Sequence, residues 1–126
     1  MVTLVTGGAG FVGSHLCWNL LGKNENVVYV DDLSLGRKKN IEGLVKNSNF
    51  VFEKIDLTDF SSTLALFKKY NFTTIYHLAA NSDISKGIKD INLDYRLNFV
   101  TTLNLLSSIK SFAYRDKDGV VRVNRE

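Results

Sequence analysis

Three glycines near the start of the chain, Gly7, Gly10 and Gly13, have the types and spacing to bind a diphosphate through the backbone. A side chain at Gly10 would keep the backbone away from a pyrophosphate, whereas the free N–H groups of a following helix would attract it. Gly7 and Gly8 would allow a turn with positive φ, and Gly13 would let the helix pack close to its strand. A glycine-rich turn without a ligand is the alternative.

Asp31 follows Gly13 by 18 residues, at the end of an apolar run. A carboxylate there can accept both hydroxyls of an adenosine ribose and would repel a 2′-phosphate, by roughly 1–4 kcal/mol at contact distance. The pattern therefore favours NAD over NADP, although the basic residues 37–39 would soften the preference. A solvated loop carboxylate is the alternative for Asp31.

Alternating strand and helix patterns must position these groups. Apolar runs predict strands at residues 2–5, 27–31, 50–55 and 74–78. Helical periodicity predicts helices at 11–21 (with Gly22 as the stop), 37–46 (a weak one), 59–70 and 92–110. Right-handed crossovers give a Rossmann-type parallel α/β sheet of order 3-2-1-4 with helices on both faces, its second half truncated.

Two apolar stripes on the helix at 92–110 predict that it is buried on two sides, one of them against the sheet. In the helix at 59–70 the apolar face is expected to comprise Phe60, Leu64 and Phe67. We assign residues 1–110 to this incomplete domain and 111–126 to a tail. The Asp118-Gly119 pair, which lies between two apolar runs, predicts a short hairpin in that tail.

The composition is that of an ordinary globular protein. The 126 residues are 44% apolar and 23% charged, enough for one domain with a core and too few for two. The net charge of +3 is scattered, so we expect no nucleic-acid or membrane partner. One cysteine, Cys17, excludes an internal disulfide. Without a recognisable leader or membrane span, a cytoplasmic protein is expected.

Several segments resemble one family. The fingerprint T-G-G-A-G-F-V-G-S-H-L at 6–16 is similar to that of the extended short-chain dehydrogenase/reductases, in particular the NAD-dependent sugar-nucleotide epimerases and dehydratases of the UDP-glucose 4-epimerase type. D-D-L-S-L-G-R at 31–37, D-L at 56–57, H-L-A-A at 77–80 and Y-R-L-N with T-T-L-N-L-L at 95–106 match further family motifs in the same order.

The resemblance implies roles for particular residues. The cofactor-binding residues it implies are Gly7, Gly10, Phe11, Val12, Gly13, Asp31, Asp32, Leu33, Ser34, Asp56, Leu57, Leu78, Ala79, Ala80 and Asn98. In the family, residues 31–34 surround the adenosine ribose and the aspartate at 56 contacts the adenine amino group. The small residues 79–80 let the dinucleotide lie flat, and Asn98 lies towards the nicotinamide. Without the resemblance, the position of Asp56 between a strand and a helix is equally consistent with a residue that caps a turn.

Two histidines remain outside these roles. His77 lies within an apolar strand, so we interpret it as a packed, hydrogen-bonded residue, with a base or metal ligand as the alternative. His15 has no partner at ligand spacing, and no metal site is predicted. Thr101 stands where the family usually has glycine. The family also implies a homodimer through the helix at 92–110.

Catalysis in this family needs a Ser or Thr and a Tyr-x-x-x-Lys pair, with hydride moving to and from NAD. None of the five tyrosines is followed four positions later by lysine. The main hypothesis is therefore the NAD-binding part of a nucleotide-sugar epimerase or dehydratase, able to bind cofactor without catalysis. The alternatives are a non-catalytic nucleotide-binding scaffold and a reductase of the same superfamily acting on a non-sugar carbonyl.

Overall fold

A computed structural model describes residues 1–115, 117–118 and 120–123. Its centre is a parallel sheet of four strands in the order β3-β2-β1-β4, which confirms the predicted Rossmann-type topology. The strands are β1 (Val2–Thr6), β2 (Asn26–Asp31), β3 (Phe50–Lys54) and β4 (Phe72–His77). The helices are α1 (Phe11–Gly22), α2 (Phe60–Lys69), α3 (Ile84–Lys89), α4 (Ile91–Asp94) and α5 (Thr101–Ser111).

The strand register brings the functional segments to one edge of the sheet. Thr6, the last residue of β1, pairs with Val30 of β2 and with His77 of β4. Asp31 in turn pairs with Lys54, the last residue of β3. All four strands therefore end side by side, and the loops that follow them surround a common space.

Each face of the sheet has its own apolar core. On the face covered by α1, Val5, Cys17 and Tyr29 are fully buried. On the other face, Leu4, Phe67 and Leu105 come from β1, α2 and α5. The thiol of Cys17 has no exposed surface, and burial raises its pKa to about 12. The apolar runs of β1 and β2, the two central strands, are thus explained by burial on both faces, whereas β3 and β4 are partly exposed.

The weak helix expected at residues 37–46 does not form. Only Lys38–Asn40 is helical, as a single 3₁₀ turn, and the following bonds run from Leu44 N to Ile41 O and from Asn47 N to Leu44 O. These are tight i-to-i−3 turns. Gly43, the residue that interrupts the pattern, lies where a Cβ would be 2.8 Å from the Trp18 ring.

Two smaller expectations were also wrong. Gly22 is the last residue of α1 and not the stop, because Asn24 adopts the left-handed conformation instead (φ 59°). In α2 the buried residues are Thr63, Leu66 and Phe67, while Phe60 is 40% exposed. Asp59 caps this helix by accepting a bond from Ser62 N, and Phe60 is the first helical residue after the cap.

The predicted long helix is present as consecutive helical segments from Ile91 to Ser111. Between α4 and α5 the segment Tyr95–Val100 is π-helical. One face of α5, with Thr101, Asn104, Leu105 and Ser108, is buried. The second apolar stripe is exposed: Phe99 by 55%, Leu103 by 47% and Leu106 by 59%. The expected burial of both sides is therefore found on one side only within the described chain.

Beyond this helix, β5 (Ala113–Arg115) pairs antiparallel with β6 (Val121–Val123). The Asp118-Gly119 turn that was predicted to join them falls partly outside the described residues. None of the described helices combines the length and apolarity that a membrane crossing requires.

Candidate functional site

A cavity of about 340 Å³ lies at the carboxyl ends of the four strands. It lies where β1 separates β2 from β4, the point at which the strand order reverses and at which such sheets bind ligands. Thirteen of the fifteen residues predicted from the sequence line it: Gly7, Gly10, Phe11, Val12, Gly13, Asp31, Asp32, Ser34, Asp56, Leu57, Leu78, Ala79 and Ala80.

The glycine loop is packed so tightly that side chains are excluded from it. Gly7 has a φ of +67°, and a Cβ there would lie 2.5 Å from Ala79 N. Gly8 does not have the positive φ that we expected; its place against the Tyr29 ring excludes a Cβ instead, at 1.9 Å from Cε2. A Cβ at Gly13 would lie 2.1 Å from the Gly8 Cα, so at this position α1 approaches the loop and not, as expected, the strand.

Gly10 is the N-terminal cap residue of α1 and has no side chain to satisfy the first N–H groups of the helix. The first turn of α1 contains no acidic residue. The amide groups and the positive end of the helix dipole therefore face the cavity without a competing carboxylate from this helix. Such a helix start attracts phosphate groups.

Asp31 is only 8% exposed and lies on the cavity wall. Its Oδ2 accepts a bond from Ala9 N at 3.0 Å, and its Oδ1 accepts one from Leu33 N at 2.7 Å. Burial raises the pKa of the carboxyl, while the bond from Leu33 partly offsets the shift. Each carboxylate oxygen has two lone pairs, so each can still accept a hydroxyl from a ligand.

Leu33 does not line the cavity. Its φ of 64° turns the backbone, and its side chain packs against the core on the α1 side of the sheet. The neighbouring Asp32 and Ser34 do line the cavity, and Asp32 Oδ1 accepts bonds from the Ser34 backbone N (2.8 Å) and hydroxyl (2.7 Å). Because the backbone turns at Leu33, the Leu33 side chain packs in the core while Asp32 and Ser34 line the cavity.

The loop after β2 is attached to the glycine loop at Ala9. Ala9 O accepts bonds from Arg37 N (3.1 Å) and from Asn40 Nδ2 (2.6 Å). Gly36, in the same loop, lies so close to the glycine loop that a Cβ there would be 2.3 Å from the Ala9 Cβ. Neither Asn40 nor Gly36 was predicted as a site residue, although the glycine is part of the quoted loop motif.

The turn-capping alternative for Asp56 is confirmed, while its contact with adenine stays a prediction. Asp56 lines the cavity, and its Oδ1 also accepts bonds from the Thr58 N–H and hydroxyl, closing a turn before α2. Asn104 of α5 fixes this turn by donating from Nδ2 to Leu57 O (2.8 Å) and to Thr58 O (3.1 Å).

Asn98 does not line the cavity either. Its Oδ1 accepts a bond from Asn81 N at 2.7 Å, so the side chain is used to hold the loop that follows Ala80. Asn81 Nδ2 in turn donates to Asp94 Oδ1 at 2.7 Å. Asn98 is therefore connected to the cavity wall through the Asn81 amide and does not itself form part of the wall.

Further lining residues were not predicted: Val30, Leu35, Gly36, Ile55, Ser82, Leu97 and Thr101. Thr101, noted as a departure from the family pattern, donates its hydroxyl to Leu97 O at 2.7 Å. Among the described residues, no cluster of His, Cys, Asp and Glu has the geometry to hold a metal ion.

The parallel sheet, the glycine loop before α1 and the cavity at the switch point define a Rossmann-type domain of the kind that binds dinucleotides. The sequence profile of the GDP-mannose 4,6 dehydratase family matches residues 4–123. The chain therefore belongs to this family of epimerases and dehydratases.

Individual relatives agree. A UDP-glucose 4-epimerase from Mycolicibacterium smegmatis is 37% identical, over 96% of this chain and 40% of its own length. A dTDP-glucose 4,6-dehydratase from Haemophilus influenzae is 32% identical, over 89% and 34%. The solved Thermus thermophilus UDP-glucose 4-epimerase, a complex with NAD, superimposes with a TM-score of 0.78 at 32% identity, over 88% and 34%. The chain thus spans about a third to two fifths of these proteins.

Proposed function

We propose that this chain is the NAD-binding portion of a nucleotide-sugar epimerase or dehydratase and belongs in the cytoplasm. The observation that carries the proposal is the cavity that joins the uncapped start of α1 to the Asp31 carboxylate. A diphosphate needs the first feature and a ribose diol the second. Membership of the family and the NAD complex of the Thermus thermophilus relative support the same cofactor.

In this proposal the residues of the chain bind and orient the cofactor. The backbone of Gly10, Phe11 and Val12 holds the diphosphate, while Gly7 and Gly13 keep the loop free of side chains. Asp31 accepts the adenosine ribose hydroxyls and disfavours a 2′-phosphate by repulsion.

The remaining lining residues bind the two ends of the cofactor. Asp32 and Ser34 lie beside the ribose, and Asp56 with Leu57 faces the adenine. Residues 78–80 form a flat wall for the rest of the dinucleotide, which Asn98 supports through Asn81.

The bound cofactor would supply a hydride acceptor, through which the whole enzyme oxidises a sugar carbon and then returns the hydride. The present sequence contains no Tyr-x-x-x-Lys pair to move the accompanying proton. We therefore expect the chain by itself to bind NAD without turning over a nucleotide sugar, the substrate of the whole protein.

We further propose that the exposed stripe of Phe99, Leu103 and Leu106 is covered in a homodimer. The three apolar side chains are each about half exposed along one face of the helix at 92–110. An apolar stripe of this kind is typical of an interaction surface. The second candidate function is a non-catalytic nucleotide-binding scaffold that uses the same helix face to bind another protein. This exposed stripe is the one observation that favours it.

Isothermal titration of the folded chain with NAD tests the proposal. We expect saturable binding of one NAD per chain, weaker binding of NADP, and no epimerisation of UDP-glucose. Absence of heat with NAD, while circular dichroism shows a folded chain, would refute it. Light scattering in the same buffer separates a discrete oligomer from a polydisperse aggregate and so tests the homodimer.

A further inference from the structure

The imidazole of His77 is hydrogen-bonded on both sides by threonine hydroxyls. Its Nδ1 lies 2.7 Å from the Oγ1 of Thr6, at the end of β1, and its Nε2 lies 3.0 Å from the Oγ1 of Thr102, at the start of α5. The ring thus bridges the sheet and the long helix. Which nitrogen carries the proton follows from the other bonds that the two hydroxyls make.

The Thr6 hydroxyl has no free lone pair for a third donor. Its Oγ1 accepts bonds from the backbone N–H groups of Leu78 (3.1 Å) and Ala79 (3.2 Å). A hydroxyl oxygen has two lone pairs, so the remaining contact, to His77, must use the hydroxyl proton. Thr6 therefore donates to Nδ1, and Nδ1 is the acceptor nitrogen.

The Thr102 hydroxyl leads independently to the same tautomer. Its proton is donated to Asn98 O at 2.7 Å, one helical turn earlier. The hydroxyl can then only accept from His77, so Nε2 carries the ring proton. Both sides agree on a neutral ring that is protonated at Nε2.

We propose that His77, as this Nε2–H tautomer, is a positioning residue that couples the cavity wall at residues 78–80 to the π-helical segment containing Asn98. The inference rests on the proposed function, because the wall that it positions is the proposed cofactor site. The chain of donors runs from the amides of Leu78 and Ala79 through Thr6, His77 and Thr102 to the carbonyl of Asn98.

The Asn98 side chain closes the connection, because its Oδ1 accepts from Asn81 N in the loop after the wall. A second ring proton would point an N–H at Thr6, whose lone pairs are already occupied, and would displace one of the wall's amides from that hydroxyl; the Leu78 N–H would keep its other bond, to Thr6 O at 3.1 Å. Burial lowers the pKa of His77, which keeps the ring neutral in support of this arrangement.

The first test is the ring tautomer in the intact 126-residue chain. Two-dimensional ¹⁵N–¹H NMR of histidine side chains at pH 7.5 should show a pyrrole-type Nε2 and a pyridine-type Nδ1 for His77. The opposite pattern would overturn the proposal. This measurement needs no variant, so it does not depend on any substitution being tolerated.

The second test removes one link at a residue outside the cavity lining. Thr102→Val keeps the shape but removes the acceptor for Nε2, and we expect it to weaken NAD binding by roughly threefold to tenfold. It should also shift the backbone amide signals of Leu78 and Ala79. Thr102→Ser should restore both. Ser111→Ala, which removes a similar hydroxyl-to-carbonyl bond of 2.9 Å on the same helix, should change neither.

The outcomes are distinguishable from those of the proposed function. If NAD does not bind the wild-type chain but Thr102→Val still shifts the Leu78 and Ala79 signals, only the cofactor assignment is wrong. If NAD binds the wild type and Thr102→Val equally well, and these amide signals do not move, the coupling through His77 is wrong.

Discussion

The carboxylate of Asp31 holds the backbone N–H of Ala9 at 3.0 Å and so joins the end of β2 to the glycine loop. The same carboxylate is the group proposed to bind the adenosine ribose. Because one oxygen already accepts from Ala9 and the other from Leu33, the carboxylate is fixed in place before any ligand arrives. Selection between cofactors and the shape of the loop therefore depend on one side chain.

Asp31→Asn is expected to weaken NAD binding and to reduce the preference for NAD over NADP by about tenfold. The amide keeps one acceptor oxygen but turns an NH₂ group towards a backbone N–H, and it no longer repels a 2′-phosphate. Titration calorimetry with both cofactors measures the ratio. Asp59→Asn removes the same charge at a helix cap that asparagine also fills, and should leave the ratio unchanged. An unchanged ratio in Asp31→Asn would contradict the assigned role.

Two glycine substitutions should have opposite effects on stability. Gly8→Ala places a Cβ against the Tyr29 ring and should lower the free energy of unfolding by about 1–3 kcal/mol. Gly22→Ala fills open space at the end of α1 and should raise it by about 0.5–1 kcal/mol. Urea unfolding followed by circular dichroism gives both values. Equal effects would mean that Tyr29 does not pack under the loop.

The contribution of His77 to the stability of the chain should fall as the pH is lowered from 7 to 5. Burial lowers the pKa of His77 in the folded state, while the unfolded chain keeps a value near 6.5. Below pH 6.5 the unfolded state binds more protons at His77 than the folded state, so acid favours unfolding. Above that pH the imidazole is neutral in both states, and His77 no longer makes the stability depend on pH. Urea midpoints across this range measure the slope. His77→Gln should flatten it.

Charge on the exposed helix stripe should prevent self-association. Leu103→Glu with Leu106→Glu is expected to give monomers in light scattering at concentrations where the wild type forms dimers. Both positions are about half exposed, so stability should change by only about 0.5 kcal/mol per site. Lys46→Glu alters the net charge equally at an exposed position outside this helix and should leave the dimer intact. A dimeric double variant would show that the stripe is not the interface.

The fold could be predicted from sequence because its signals are local. Each strand contains an apolar run, Asp59 marks the start of α2, and right-handed crossovers between parallel strands give the order 3-2-1-4. The pattern at 37–46 predicted a helix that does not form, and it carried no sign of contacts such as that of Gly43 with Trp18. Those contacts are distant in sequence and leave no periodic pattern.

Cavity-lining residues could be predicted where they belong to a recognised sequence motif. They were predicted less well where the backbone conformation determines which side chains face the cavity. Leu33 shares a motif with Asp31 and Ser34, but its positive φ turns it into the core. Thr6, Thr102 and Asn40 act through bonds between separate elements, and their residue types alone carry no signal. His77 was recognised as hydrogen-bonded, while its partners became evident only from the structure.

The single thiol of Cys17 offers a reporter that the chain already contains. With no exposed surface and a pKa raised to about 12, it is shielded from alkylating or disulfide reagents as long as α1 stays on the sheet. Its labelling rate then measures how often that helix lifts away. A cofactor seated at the start of the same helix would slow the reaction, so occupancy could be followed by mass spectrometry without any added dye.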